Sequence, residues 1–120
     1  MFDKIMKNIG TMISYRWLQI DTGNILTPET DPNVGSNNNI TSPIYVSPGD
    51  TIEITSTTNS NLYKLMAEYD SNGNYLRHSQ FSGSKTIGSN TAYILGHVYA
   101  PQTVKVINTT TGNIIFDWRA

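Results

Sequence analysis

The sequence predicts an all-β fold, an antiparallel β-sandwich of jelly-roll-like kind entered through a short N-terminal amphipathic helix. Three observations predict it. Short runs rich in β-branched and aromatic residues recur along the chain, many with alternating polarity. Turn signals built from Gly, Pro, Asn and Asp separate those runs. Only 14% of the 120 residues are charged, so solubility has to come from Asn, Thr and Ser. Those residues suit exposed β-structure, because Thr favours strands and Asn favours turns. About eight or nine short strands result, the pattern of a sandwich or jelly roll. The length fits one domain with a real core, divided into a helix over 1–13 and a β-sandwich over 14–120.

The helix is read from "MFDKIMKNIGTMI", where Phe2, Ile5, Met6, Ile9 and Ile13 recur at helical spacing. Asp3, Lys4, Lys7 and Asn8 interrupt the apolar residues, so the stretch has no signal-peptide h-region. At about three turns the helix is marginal alone and needs a surface to pack against. Its stripe either lids its own β-domain or docks onto another subunit, with Phe2, Ile5, Met6 and Ile9 as docking candidates.

Strand signals begin with "YRWLQI". The segment "TPETDPNVGSNNNITSP", with three of the five prolines, reads as an excursion loop or surface flap. "IYVSPGDTIEIT" gives a strand, a turn with positive φ at Gly49, and a second strand with Ile52 and Ile54 inward. "LYKLMAEY" and "NYLRHSQF" form a hairpin, "TAYILGHVYA" a further strand, and "QTVKVIN" with "NIIFDWRA" a final hairpin. "DTGNIL", "SNGNYL" and "TTGNII" are one turn chemistry used three times, with Gly23, Gly73 and Gly112 at positive-φ corners. Their unequal spacing is not a repeat architecture.

"YDSNGNYL" also invites a calcium reading, since Asp70, Asn72 and Asn74 alternate like the first ligands of an EF-hand loop. Counting from Asp70, however, Gly73 stands at the fourth position instead of the sixth, and Phe81 occupies the twelfth, where a bidentate Glu is required. A tight turn is the expectation, and no metal. No cofactor is expected either. The chain has no cysteine and two histidines, His78 and His97, with no H-E-x-x-H or G-x-S-x-G motif. His97 reads as a packed strand histidine. Glu53 and Glu68, the carboxylates checked as a glycosidase pair, read as solvated outer-face residues. The expectation is therefore a protein that is not an enzyme. A net charge of −1 lacks the basic field of a nucleic-acid binder, and no stretch approaches a membrane span.

Surface recognition remains. Seven Tyr, three Phe and two Trp are more aromatic residues than so small a core needs. Aromatic rings stack on pyranose faces while amides and charges bond the hydroxyls. The candidates for such binding are Trp17, Tyr63, Tyr75 and Arg77, with Tyr75 and Arg77 expected on one strand face beside Ser79.

The features "SPIYVSPGDTIEITS", "LYKLMAEYDSNGNYL" and the later "NTAYI" span roughly Ser42 to Ile94. Together they resemble a β-sandwich module of phage tail-fibre, baseplate and receptor-binding proteins, also found beside SGNH-type esterase domains. The resemblance implies a jelly-roll-like fold and a role in a virion or in carbohydrate adhesion; no catalytic residue belongs to the matched pattern. No esterase domain is expected to follow, and the expected N-terminal helix is an addition to the module. The chain is accordingly expected to be a phage virion structural protein: a head-fibre, decoration or tail adhesion subunit. Its expected partners are itself, other virion proteins and host-surface glycan. The alternative is an accessory carbohydrate-binding module of a cell-surface or glycan-processing system.

Overall fold

The computed structural model describes residues 9–58 and 64–120. In chain order the strands are β1 (Met12–Ser14), β2 (Trp17–Leu18), β3 (Ile25–Leu26), β4 (Asn38–Thr41), β5 (Ile44–Tyr45) and β6 (Thr51–Thr58). They continue as β7 (Lys64–Tyr69), β8 (Tyr75–Gln80), β9 (Gly83–Thr86), β10 (Tyr93–Tyr99), β11 (Pro101–Asn108) and β12 (Asn113–Arg119). Every pairing is antiparallel. One sheet runs β1-β4-β10-β7-β8, with β5 also on β10; a second runs β12-β11-β6-β9. β2 and β3 form a two-stranded sheet of their own.

The two larger sheets face each other, and alternation decides what each contributes. β6 turns Ile52 and Ile54 inward and leaves Glu53 and Thr55 in water, as expected from the sequence. β11 adds Val104 and Val106, and β12 adds Phe116. Across from them lie Met66, Ile94, Val98 and Ile44, with Phe81 and Ile87 filling the space between. This is a β-sandwich-like core. The positive φ expected at Gly23, Gly49, Gly73 and Gly112 is present at all four.

A second apolar cluster lies on the other side of the larger sheet. Leu18 and Ile25 of the β2–β3 hairpin pack on Ile40, Ala67, Tyr69 and Leu95, with Tyr75 and Tyr93 alongside. The larger sheet is thus covered on both faces, which is why β10 reads as a nearly unbroken buried run, Ile94 to Val98.

Three expectations need correction. Residues 9–13 are not helical. Ile9 exchanges both backbone hydrogen bonds with Asp117 of β12 (2.8 and 2.9 Å), and β1 then pairs with β4. Of the expected helical stripe, Phe2, Ile5 and Met6 lie outside the described residues, and Ile13 is 38% exposed on an edge strand. The Asn run is not loop: Asn38–Thr41 is a strand between β1 and β10, because Ile40 and Thr41 bury on opposite sides of the sheet. Glu68 is not solvated. It is 4% exposed and shares the inward parity of Met66. The outer side of β7 is also covered, so a polar residue at Glu68 carries no information about which face meets water.

The segment from Ile9 to Ser14 closes one side of the sandwich, since it pairs with β12 of one sheet and β4 of the other. Gly10 makes the crossing. Its φ is +89°, and a Cβ there would lie 2.5 Å from the Phe116 ring. Gly10→Ala is therefore expected to cost about 2 kcal/mol, from left-handed strain and displacement of a core ring. Truncation provides a second check. Removing 1–13 strips β4 and β12 of their partner in this segment, and chemical denaturation should show a large loss of stability.

Candidate functional site

Four tyrosines stand in one row across the outer face of the larger sheet. The register sets Tyr45 of β5 opposite Tyr93 of β10, Tyr93 opposite Tyr69 of β7, and Tyr69 opposite Tyr75 of β8. Residues directly opposite share a face and bring their side chains into contact. The ring centroids of Tyr45 and Tyr93 are 6.0 Å apart at 57°, those of Tyr93 and Tyr69 5.1 Å apart at 7°, and those of Tyr69 and Tyr75 6.0 Å apart at 62°.

The two ends of the row have different neighbours. Tyr69 donates its hydroxyl to the Gly23 carbonyl and Tyr75 donates to the Ile20 carbonyl, each at 2.7 Å. These bonds fasten the β2–β3 hairpin to the sheet. Gly23 is buried against the Tyr75 ring, where a Cβ could not fit. Burial, with Tyr93 and Tyr75 close by, pushes the Tyr69 phenol up to about 12. At the other end Tyr45 is 73% exposed and Tyr93 is partly exposed, its hydroxyl alongside Gly73 of the β7–β8 turn. Burial, Tyr45 and the Asp70 charge push the Tyr93 phenol up.

That turn is closed by its own hydrogen bonds. Asp70 Oδ1 accepts from the backbone N–H of Asn72 and of Asn74 at 2.9 Å, and Oδ2 accepts from the Asn74 amide at 3.2 Å. Donation, first from the Asn74 backbone, holds the Asp70 carboxyl below its usual range. The residues that resemble calcium ligands are therefore bonded to one another, as the turn reading expects. Among the described residues, no group of three or more His, Asp or Glu is placed to hold a metal.

Of the residues singled out from the sequence, Tyr75 and Trp17 lie on this outer face, Trp17 with its ring edge-on to His97 at 5.2 Å. His97 is fully buried, as expected of a packed strand histidine. Tyr63 lies outside the described residues. Arg77 is on the opposite face from Tyr75, contrary to the expectation that they share one. A β-bulge is responsible. Tyr75 pairs with Tyr69 and Arg77 with Glu68, so Leu76 is the extra residue and the alternation slips by one. The Arg77 guanidinium donates to Glu68 Oε1 (2.8 Å), Thr91 Oγ1 (2.9 Å) and the Ser89 carbonyl (3.0 Å). Glu68 Oε1 also accepts from Thr91 Oγ1 and the Gly88 N–H. This network ties β7, β8 and the loop before β10 together at the end of the core. Of the docking candidates, Phe2, Ile5 and Met6 lie outside the described residues, and Ile9 is the residue bridged to Asp117.

Sequence reasoning passed over Tyr45 and Tyr93. The available signal was local: "PIYV" and "AYIL" each place a tyrosine beside a buried isoleucine, which turns the ring outward. That the two rings meet depends on the pairing of β5 with β10, which no local pattern carries. Comparison with protein-family models, curated proteins and solved structures finds no match to this chain.

Proposed function

We propose that this chain is a non-catalytic structural subunit of a phage particle, of head-fibre, decoration or tail-adhesion type. It presents the exposed end of the tyrosine row to carbohydrate on the host surface. The observation that carries the binding role is the register itself, which gathers Tyr45 and Tyr93 into one aromatic surface beside a hydrogen-bonded turn. Rings held this way lose little entropy on binding and offer their faces to the C–H side of a sugar. The assignment to a virion is supported by the resemblance over Ser42 to Ile94, a span that contains all four tyrosines. A jelly-roll-like topology belongs to the same reading. So does assembly through the apolar side chains of Phe2, Ile5 and Met6, with the same chain or other virion proteins as partners, and with neither nucleic acid nor membrane.

Mass spectrometry of purified particles should detect the protein, and replacing Phe2, Ile5 and Met6 together by Ser should abolish its incorporation. Tyr45→Ala should weaken glycan binding by about tenfold, roughly 1.4 kcal/mol, with no loss of stability, because the ring is 73% exposed. Absence from the particle together with retained glycan binding would favour the accessory carbohydrate-binding module. Hydrolysis of a glycan by the pure protein would overturn both readings.

A further inference from the structure

We infer that the sugar met by Tyr45 and Tyr93 belongs to a neutral glycan, and that glycans carrying sialic or uronic acid are disfavoured there. This rests on the reading of the row as a carbohydrate surface and adds the class of ligand.

The charges around the row carry the inference. Asp70 opens the turn whose Gly73 lies alongside the Tyr93 hydroxyl, and Asp21 follows Ile20, whose carbonyl accepts from the Tyr75 hydroxyl. Both are carboxylates. The cation that sequence spacing assigns to this face, Arg77, is turned to the opposite face by the bulge at Leu76 and is paired with Glu68. Among the described residues, no hydrogen bond or ion pair brings a lysine or arginine to Tyr45, Tyr93 or Asp70. His78 reaches the row only at its far end, 3.0 Å from the Tyr75 hydroxyl.

A carboxylated sugar stacked on Tyr93 would therefore bring its charge towards Asp70, with no lysine or arginine among the described residues bonded there to offset it. Recognition of a carboxylate usually calls for an arginine fork or an array of N–H donors. Here the N–H groups of the turn at Asn72 and Asn74 are already directed at Asp70. What the surface offers a ligand is ring area with the exposed hydroxyl and amide groups of Ser71 and Asn72 beside it. That combination suits a hexose with free hydroxyls, or one in which an acetamido group replaces a hydroxyl.

The test uses the full chain against an array of neutral galactosides, glucosides and N-acetylglucosamine oligomers. Their sialylated and uronic-acid counterparts are printed alongside, and hits are measured by saturation-transfer NMR. The expected result is binding to at least one neutral series, with its acidic counterpart about tenfold weaker at low salt and the gap narrowing as salt screens the charges. Asp70→Asn keeps an oxygen for the turn N–H groups and removes the charge, so it should narrow the same gap at low salt. Equal or tighter binding of the acidic counterparts by the wild-type chain would overturn the inference and leave the carbohydrate reading standing. Absence of binding to either class, or unchanged binding by Tyr45→Ala, would overturn both.

Discussion

Arg77→Ala is expected to cost about 3 kcal/mol of folding stability, more than the substitution at Gly10 and at the low end for a buried pair because the arginine is partly exposed. Breaking a buried ion pair from one side typically costs about 3–5 kcal/mol, because the charge left behind is desolvated without compensation. The asymmetry within this pair decides which side matters more. The Glu68 side chain is 5% exposed and the Arg77 side chain 37% exposed. Losing the arginine leaves the carboxylate with Thr91 and Gly88 as its donors, beside the space the guanidinium vacates. Losing the carboxylate leaves a guanidinium that can turn to solvent, so Glu68→Gln should cost less. The double substitution Arg77→Met with Glu68→Gln should recover part of the loss, since a neutral amide can keep the Thr91 and Gly88 bonds. Urea denaturation of the four proteins forms the cycle. A loss below 1 kcal/mol in Arg77→Ala would mean that Glu68 is hydrated after all. Gly88→Ala provides an independent probe, because a Cβ there would collide with the guanidinium.

The same pair shows where sequence reading reached its limit. Alternation within a strand was legible wherever one face is core and the other is water. Ile52 and Ile54 against Glu53 is such a case, and so were the turn glycines and the final hairpin. It failed where a second cover exists. The β2–β3 hairpin buries the outer face of β7 and β10, so polar and apolar positions no longer report inside and outside. Glu68 is polar yet faces inward because its partner comes from the neighbouring strand, and Arg77 faces inward because one bulge residue shifts the period. The two-residue strands β2, β3 and β5 are too short for any period to mark. β1 was hidden for another reason: Ile9 and Ile13 fit helical spacing, but the segment is held extended by pairing with Asp117 and with β4, tertiary partners that outweigh a weak local preference.

For the tyrosine row, composition showed the excess of tyrosine and local pattern did not show the register; of the residues singled out, Tyr75 belongs to the row. The partners of Tyr75 come from strands six to thirty residues away in sequence, Tyr69 and Tyr45 among them, and only the sheet order brings them into line. Tyr69 and Tyr75 use their hydroxyls to hold the hairpin down, so the accessible end of the row lies at Tyr45, the ring that no core contact requires.

The outer cover has a second consequence, an acid-sensitive stability centred on His97. Its ring is fully buried on the outer side of β10, with Ile40 and Leu65 opposite it on the neighbouring strands and Trp17 laid edge-on above. Burial disfavours the charged imidazolium and lowers the folded-state pKa to about 4 from the ordinary 6.5. The unfolded chain thus takes up a proton near pH 6.5 and the folded chain only near pH 4. Between those values the unfolded state binds more protons, so stability falls as pH falls. The contribution is fully present above about pH 6.5 and is lost by about pH 4, amounting to about 3 kcal/mol in all and about 2 kcal/mol by pH 5. Asp70 and Glu29, whose pKa values are lowered, lose their contributions mainly below the usual carboxylate range, so the interval from 6.5 to 4.5 reports His97. Urea midpoints followed by circular dichroism across that interval should decline steadily for the native sequence and stay nearly flat for His97→Leu. Trp17→Ala, which opens the ring to water, should reduce the slope while lowering stability at every pH. If His97→Leu declines as steeply as the native protein, the acid sensitivity belongs to another group and the buried imidazole is protonated at no cost.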